Sequence, residues 1–217
     1  RRSQLVRSYL KLYAKSLTDE QVNRIVTDVQ CENTLLLKTL LDELINFGIF
    51  EKLDERIEYY LAQDTIDDFY QALLASYEEE FGEAFVRSIL STIYVSKHGL
   101  EEDEILSSLK IKPLYWSQFI CSFNVHCATK NGRISFSHRY ISDAVSNRYL
   151  KEKASIETAR MSLIRFFKSI DSKIAWEEFA YQYHQLSDID SLTCLLNNVE
   201  VLAFLIQKCE YESVSYM

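Results

Sequence analysis

The chain has 217 residues, with 32 acidic and 24 basic side chains and a net charge of −8. Nucleic-acid binding requires clustered Lys and Arg for phosphate contacts, so this charge balance argues against it. One Pro and four Gly in the whole chain favour a mainly α-helical protein with short connections. There is no secretory leader and no apolar run long enough to cross a bilayer, so we expect a cytoplasmic protein with no membrane partner. The five cysteines are irregularly spaced, so we expect reduced thiols.

The first part of the chain is predicted to form a helical bundle. Apolar spacing predicts a helix over 3–15, and Thr18 with Gln21 forms a capping box that starts the next helix. Asn33 is expected to cap a third helix, whose body over 35–45 is apolar on most sides and should be central. The acidic run at 78–80, together with Glu83, is expected to be a solvated face.

The Asn131-Gly132 pair is the most specific local signal, because it supplies the two positive-φ residues of a two-residue hairpin turn. A turn at this position predicts four facing pairs: Lys130 with Arg133, Thr129 with Ile134, Cys127 with Phe136, and Val125 with His138. One face of this hairpin is mostly apolar, and the other, which includes His126, is mostly polar. A two-stranded ribbon is marginal in water, so it should pack on neighbouring helices.

Three predicted helices precede the hairpin, and this order is a winged-helix pattern. The second of them begins with four acids at 101–104, which the helix dipole stabilises. The third, over 114–123, has the position of a DNA-recognition helix but contains no basic residue. We therefore expect it to contact protein, and we predict a protein-interaction surface around Tyr115 and Trp116.

After Leu150 the apolar pattern is purely helical. Three successive apolar sets predict antiparallel helices stacked in series, as at the start of a helical repeat array. The predicted fold is therefore mainly α: a helical bundle, a winged-helix domain with a short β-hairpin, and then stacked helical hairpins.

Catalytic and metal-binding motifs are missing from the sequence. The four glycines are isolated from one another, so no phosphate-binding loop is present, and neither an H-E-x-x-H nor a paired C-x-x-C motif occurs. Cys121, His126 and Cys127 lack a fourth ligand for a closed zinc site. We expect no metal, no cofactor in this chain and no enzymatic activity from it.

The chain begins at Arg1 without an initiator Met, so we expect it to be part of a longer protein. Its most distinctive segments are 15–21, 33–44, 47–48, 96–105 with Trp116, 136–138, 143–145 and 148–150, and a weaker set comprises Arg160, Phe166, Phe167, Glu178 and Gln182. Together they resemble the region after the nucleotide-binding core of signal-transduction ATPases with numerous domains, which include the NACHT and apoptotic ATPases. The similarity is greatest to members with tetratricopeptide-like (TPR-like) repeats, of the nephrocystin and telomerase-associated type.

The resemblance implies a helical lid over 1–80, a winged-helix domain over 81–152 and the start of a repeat array over 153–217. It places an ATPase core upstream and further repeats downstream as partners, with ADP or ATP bound only in the full-length protein and with self-association as a further expectation. His138 is similar to a histidine that contacts the β-phosphate of ADP, and Thr34 replaces a proline near the adenine. Two interpretations of His138 stay open: a nucleotide contact, or a ring packed beside Val125 and hydrogen-bonded locally.

Two functional hypotheses follow. In the first, the chain is a regulatory, non-catalytic part of a multidomain ATPase, which controls nucleotide-dependent closure and self-assembly through intramolecular contacts. In the second, it is a protein–protein interaction scaffold with no role in nucleotide binding. Winged-helix DNA binding is the weakest alternative.

Overall fold

The computed structural model describes residues 1–170 and 173–207, so Cys209 and the end of the predicted repeat region lie outside the described residues. The described chain is mainly helical, with thirteen α-helices and one small antiparallel sheet. The helices are α1 Arg2–Leu12, α2 Asp19–Thr27, α3 Thr34–Asn46, α4 Leu53–Leu61, α5 Ile66–Phe81, α6 Glu83–Val95, α7 Glu102–Leu109, α8 Pro113–Phe123, α9 Arg139–Tyr149, α10 Lys153–Lys168, α11 Ile174–Gln185, α12 Ile189–Leu196 and α13 Val199–Gln207. The strands are β1 Cys127–Lys130 and β2 Arg133–Phe136, and short 3₁₀ turns lie at Gln30–Glu32, Phe50–Lys52 and Asn124–His126.

Several helix starts follow from local sequence. Thr18 and Gln21 form the predicted capping box at the start of α2, and the Asn33 side chain accepts hydrogen bonds from the first backbone amides of α3. Both predictions are confirmed. Asp188 caps α12 in the same way through the amide of Ser191.

Helix α3 is central, as its apolar sequence predicts. All of its leucines except Leu35 are almost completely buried, and they belong to one apolar core that extends from Val6 in α1 to Ala175 in α11. A second, smaller core joins the last helices through Ile164, Ala180, Tyr183, Leu192, Val201 and Leu205. Helix α5 packs against both α6 and α9. Apolar contacts are therefore continuous across residue 80, where the predicted helical lid ends and the predicted winged-helix domain begins.

The hairpin has the predicted register over its first three pairs. Lys130 faces Arg133, Thr129 faces Ile134 and Cys127 faces Phe136, and Asn131 and Gly132 have φ values of 53° and 80°. The predicted pair of Val125 with His138 is wrong. The chain coils into a 3₁₀ turn at Asn124–His126, and the Ser137 amide donates to the carbonyl of His126 instead.

No single described helix is long and apolar enough to span a membrane. Helices α12 and α13 meet the length and composition criteria only as a pair, and they are bent by 88° relative to each other.

Candidate functional site

A cleft of about 920 Å³ lies beside the hairpin, and we call it the hairpin cleft. Its walls come from the end of α6, residues 96–99, the hairpin, the start of α9 and the start of α11. Charged and titratable side chains dominate its lining: Lys97, His98, Glu101, Lys130, Arg133, His138, Arg139, Glu177 and Glu178. Because both signs of charge are present, the cleft is suited to polar contacts between elements more than to a highly charged anion.

One edge of the hairpin cleft is formed by residues 95–101, which we call the linking segment. Leu100 pairs with Ile134 on the edge of β2 through two backbone hydrogen bonds of 3.1 and 2.7 Å. Gly99 has φ +76°, and a Cβ atom there would lie 2.3 Å from the carbonyl oxygen of Ile134. Arg133 closes this contact by donating to the carbonyl of Gly99 at 3.1 Å and to Glu104 at 2.8 Å.

The opposite side of the linking segment is bound by α10 and α11 through buried polar side chains. Gln182 is completely buried, and its Nε2 donates to the carbonyl of Val95 and to the carboxylate of Glu178, both at 2.6 Å. Arg160 donates to Gln182 Oε1 at 2.7 Å. The network is built from Arg160, Glu178 and Gln182, three residues of the weaker set in the sequence resemblance.

Glu178 is the most strongly perturbed carboxyl group of this network. Its side chain accepts the Lys97 backbone N–H, which lies 3.3 Å from both carboxylate oxygens, and it is 5% exposed. Burial raises the pKa of Glu178 to about 7, although its hydrogen bonds to Gln182 and Lys97 oppose the rise. The group therefore titrates near neutral pH at the contact between α11 and the linking segment.

His138 lines the hairpin cleft, but both of its ring nitrogens are engaged within the protein. It caps α9, and Nδ1 accepts the Ile141 amide at 3.5 Å, which leaves the ring proton on Nε2. Nε2 lies 3.3 Å from the Tyr70 hydroxyl, which in turn lies 3.1 Å from that of Thr39. Burial, followed by the charges of His126 and Lys38, lowers the pKa of His138, so the ring is neutral at pH 7.

The other residues predicted to form sites are dispersed. Thr34 is exposed at the start of α3 and does not line the hairpin cleft. Tyr115 is 55% exposed at the start of α8, and its role in protein interaction stays a prediction. The prediction for Trp116 is wrong, because its side chain is fully buried and packs near Phe119, which leaves none of it on the surface.

A second buried polar cluster, which the sequence analysis missed, lies around Glu43 of α3. The carboxylate is 6% exposed and accepts hydrogen bonds from Tyr77 and His126 at 2.9 Å and from Tyr60 at 3.1 Å. His126 was expected on the polar face of the hairpin, and its burial against Glu43 corrects that prediction. An acidic residue within the apolar body of α3 was the available signal, because a buried carboxylate must find hydrogen-bond donors.

The expectation of a solvated acidic face at 78–80 is wrong for Glu78. Its carboxylate accepts two hydrogen bonds from Arg148, at 2.7 and 2.5 Å, and a third from the Tyr149 hydroxyl at 2.6 Å. The Arg148 contact lowers the pKa of Glu78, and this cluster joins α5 to the end of α9.

These polar clusters connect helices, and none of them places a nucleophile beside a base in an open cavity. Within 1–170 and 173–207, no group of three His, Cys, Asp or Glu side chains is placed to hold a metal ion. The described site is therefore a set of inter-helix contacts around a polar cleft, in a mainly helical protein with one short hairpin.

The chain is 30% identical over 209 residues to a TPR repeat-containing protein of Dictyostelium discoideum, and the match covers 92% of this chain. The same match covers only 12% of that much longer protein. No family model matches the chain, and no solved structure gives a significant match. The relative's name and the stacked helices after Leu150 are consistent with TPR-like helical repeats.

Proposed function

We propose that this chain is a non-catalytic, protein-interaction scaffold within a longer protein. In this role it holds the start of a helical repeat array in a fixed orientation on a hairpin-bearing helical unit. The observation that carries the proposal is the linking segment, which is bonded to β2 on one side and to Arg160, Glu178 and Gln182 on the other.

Two further observations support this function. The relative in Dictyostelium discoideum is described as TPR repeat-containing, and helical repeats of this kind present extended surfaces to other proteins. Helix α10 also packs on α6 and α7, so apolar contacts reinforce the polar network at the same junction. A scaffold requires such a junction, because a repeat array displays its binding surface in one direction only if its base is fixed.

The proposal is tested by measuring a distance across the junction. Cys121 on α8 and Cys194 on α12 are exposed and accept spin labels, whereas Cys31 is buried and burial raises the pKa of the Cys127 thiol to about 12. In a Cys209→Ser background, with excess unlabelled protein so that only distances within one chain are measured, double electron–electron resonance should give one narrow distance distribution. Gln182→Leu should broaden it, because Val95 and Glu178 lose their donor.

Gln4→Leu, at an exposed position on α1, is the matched control and should leave the distribution unchanged. A broad distribution in the unmodified protein, or a narrow one that survives Gln182→Leu in a folded chain, would contradict a fixed junction.

A second candidate function is regulation of an ATP-driven switch, as in the signal-transduction ATPases that the sequence resembles. The observations that favour it are the order of α6, α7 and α8 before the hairpin, which we interpret as a winged helix, and the position of His138 at the hairpin cleft. For His138 to contact a phosphate, its Nε2 would have to leave the Tyr70 hydroxyl. The ATPase core, its ADP or ATP and the oligomer would all belong to the full-length protein.

The full-length protein distinguishes the two functions. If the switch operates, His138→Leu should weaken ADP retention and increase spontaneous self-association, whereas Tyr70→Phe should retain ADP because it frees Nε2 without removing the ring. Full-length protein that binds no nucleotide in calorimetry would exclude the switch and leave the scaffold.

A further inference from the structure

Helix α8 presents an uncharged surface to solvent over its whole length. Its sequence from Pro113 to Phe123 contains no charged residue, although 26% of the chain is charged. Leu114 is 67% exposed and Tyr115 is 55% exposed. Gln118 and Cys121 follow Leu114 by four and then three residues, so all three lie on one exposed stripe. We call this stripe, together with Tyr115, the α8 face.

The two ends of the α8 face carry opposite charges. Lys110 and Lys112 immediately precede the helix. At the other end, Ser122 shares a cleft of about 480 Å³ with Glu79 and Glu80 of α5. None of these four charged residues forms an ion pair within 4 Å of another described residue, although Arg56 also lines this cleft and its charge acts on Glu80. The face is therefore apolar and neutral in the middle, basic before its first turn and acidic beside its last.

We propose that the α8 face is a homodimer interface, in which a second copy of this chain packs its own α8 antiparallel across it. A twofold axis at Gln118 places Leu114 of one copy opposite Ser122 of the other, and Lys112 beyond the partner's last turn. Each pair of lysines then lies beside the other copy's Glu79 and Glu80. A twofold interface needs such self-complementarity, because residue i contacts residue j and j contacts i.

Charge complementarity is the reason to assign a second copy and not an unrelated protein. A partner for this face needs an acidic group at one end and a basic group at the other, in antiparallel order, and the chain itself carries that pattern. Burial raises the pKa of the Glu80 carboxyl, and an incoming lysine would stabilise its charged form. The proposed dimer does not depend on nucleotide or on the junction described above.

Analytical ultracentrifugation of the whole chain, over roughly a hundredfold range of concentration, tests this assignment. The unmodified protein should form a dimer in a concentration-dependent manner. Leu114→Glu should weaken dimerisation at least about tenfold, because it removes an apolar contact and places a carboxylate near the other copy's Glu79 and Glu80. Leu12→Glu, at a leucine that is 79% exposed on α1, is the matched control and should have no effect.

Charge reversal then tests the pairing. Lys110→Glu with Lys112→Glu should weaken the dimer, and so should Glu79→Lys with Glu80→Lys. The dissociation constant of the dimer in the combined fourfold variant should lie within about threefold of the value for the unmodified protein, because every pair regains opposite charges. A protein that stays monomeric at all concentrations would overturn the proposal. Dimerisation that is unchanged by these substitutions would overturn it as well. So would a fourfold variant that has a native circular dichroism spectrum but does not regain dimerisation.

Discussion

At the scale of single residues, two neighbouring carboxyl groups of α11 contact the linking segment in different ways. The Glu177 side chain is 11% exposed and lies 3.9 Å from Nε2 of His98, whereas Glu178 is 5% exposed and accepts the backbone N–H of Lys97. Burial disfavours the charged form of Glu178, and hydrogen bonds from neutral donors offset this only in part, so the carboxyl holds its proton to a higher pH. Such a group makes the stability of the junction sensitive to pH.

The Glu178 pKa of about 7 predicts a specific pH dependence of unfolding. The folded protein holds this proton more tightly than the unfolded chain, so its contribution to stability is complete below pH 4.5 and is lost as the pH rises to about 7. Glu178→Gln should remove this pH dependence, which amounts to up to about 3 kcal/mol in the free energy of unfolding. Urea unfolding at several pH values measures the difference, and Glu200→Gln, at an exposed position, should resemble the unmodified protein.

Three glycines provide a graded test of backbone constraint. Gly99→Ala should cost about 2 kcal/mol or more, because φ is positive and the new Cβ atom would clash with the Ile134 carbonyl. Gly82→Ala, at φ +93° with no atom near the new Cβ, should cost about 1 kcal/mol. Gly48→Ala, with neither constraint, should be neutral. Thermal unfolding measures all three, and an equal effect at Gly48 and Gly99 would contradict the close approach of the linking segment to β2.

At the scale of elements, ion pairs between helices and within a helix differ in how deeply their side chains are buried. The Glu78–Arg148 pair between α5 and α9 has side chains that are 12% and 29% exposed. The Glu83–Arg87 pair within α6 has side chains that are 61% and 55% exposed. Exposed pairs contribute little because water and salt screen them, whereas partly buried bidentate pairs are coupled more strongly.

A double-mutant cycle on Glu78→Gln and Arg148→Met should therefore give a coupling energy of about 1–3 kcal/mol. The same cycle on Glu83→Gln and Arg87→Met should give less than about 0.5 kcal/mol. Both are obtained from free energies of unfolding in denaturant. Equal coupling in the two pairs would mean that the α5–α9 contact is apolar only.

The elements that the sequence predicted well are those with a local cause. The capping box at Thr18 and the Asn131-Gly132 turn each depend on residues within a few positions of one another, so their geometry follows from the sequence. The Glu43–His126 contact joins residues 83 positions apart, and no local pattern indicates it. The Arg160 network was visible only as a weak family resemblance, and Trp116 was misplaced because an aromatic residue on a helix does not reveal which side is covered.

At the scale of the whole molecule, two apolar cores of unequal size meet at α10 and α11. The larger one extends from α1 to α11, and the smaller contains six buried residues, most of them on the last three helices. A small core contributes less to local stability, so the last helices should open more often than the centre.

Hydrogen exchange should show this difference. Amides of α12 and α13 are expected to exchange through openings that cost at least about 2 kcal/mol less than those of α3 and α5. Mass spectrometry of exchanged peptides measures it, and Leu192→Ala should increase exchange in the last helices while leaving α3 unchanged. Uniform exchange along the described chain would show that both cores open as one unit.

The position of the linking segment also has a practical consequence for preparing shorter versions of the protein. A fragment that stops at Glu152 would retain α1 to α9 but lose Arg160, Glu178 and Gln182. The carbonyl of Val95 and the amide of Lys97 would then lack their hydrogen-bond partners. The apolar surface of α6 that packs against α10 would also be exposed to water. Such a fragment should be prone to aggregation, whereas one that continues through Gln185 keeps the junction intact and is the better choice for expression.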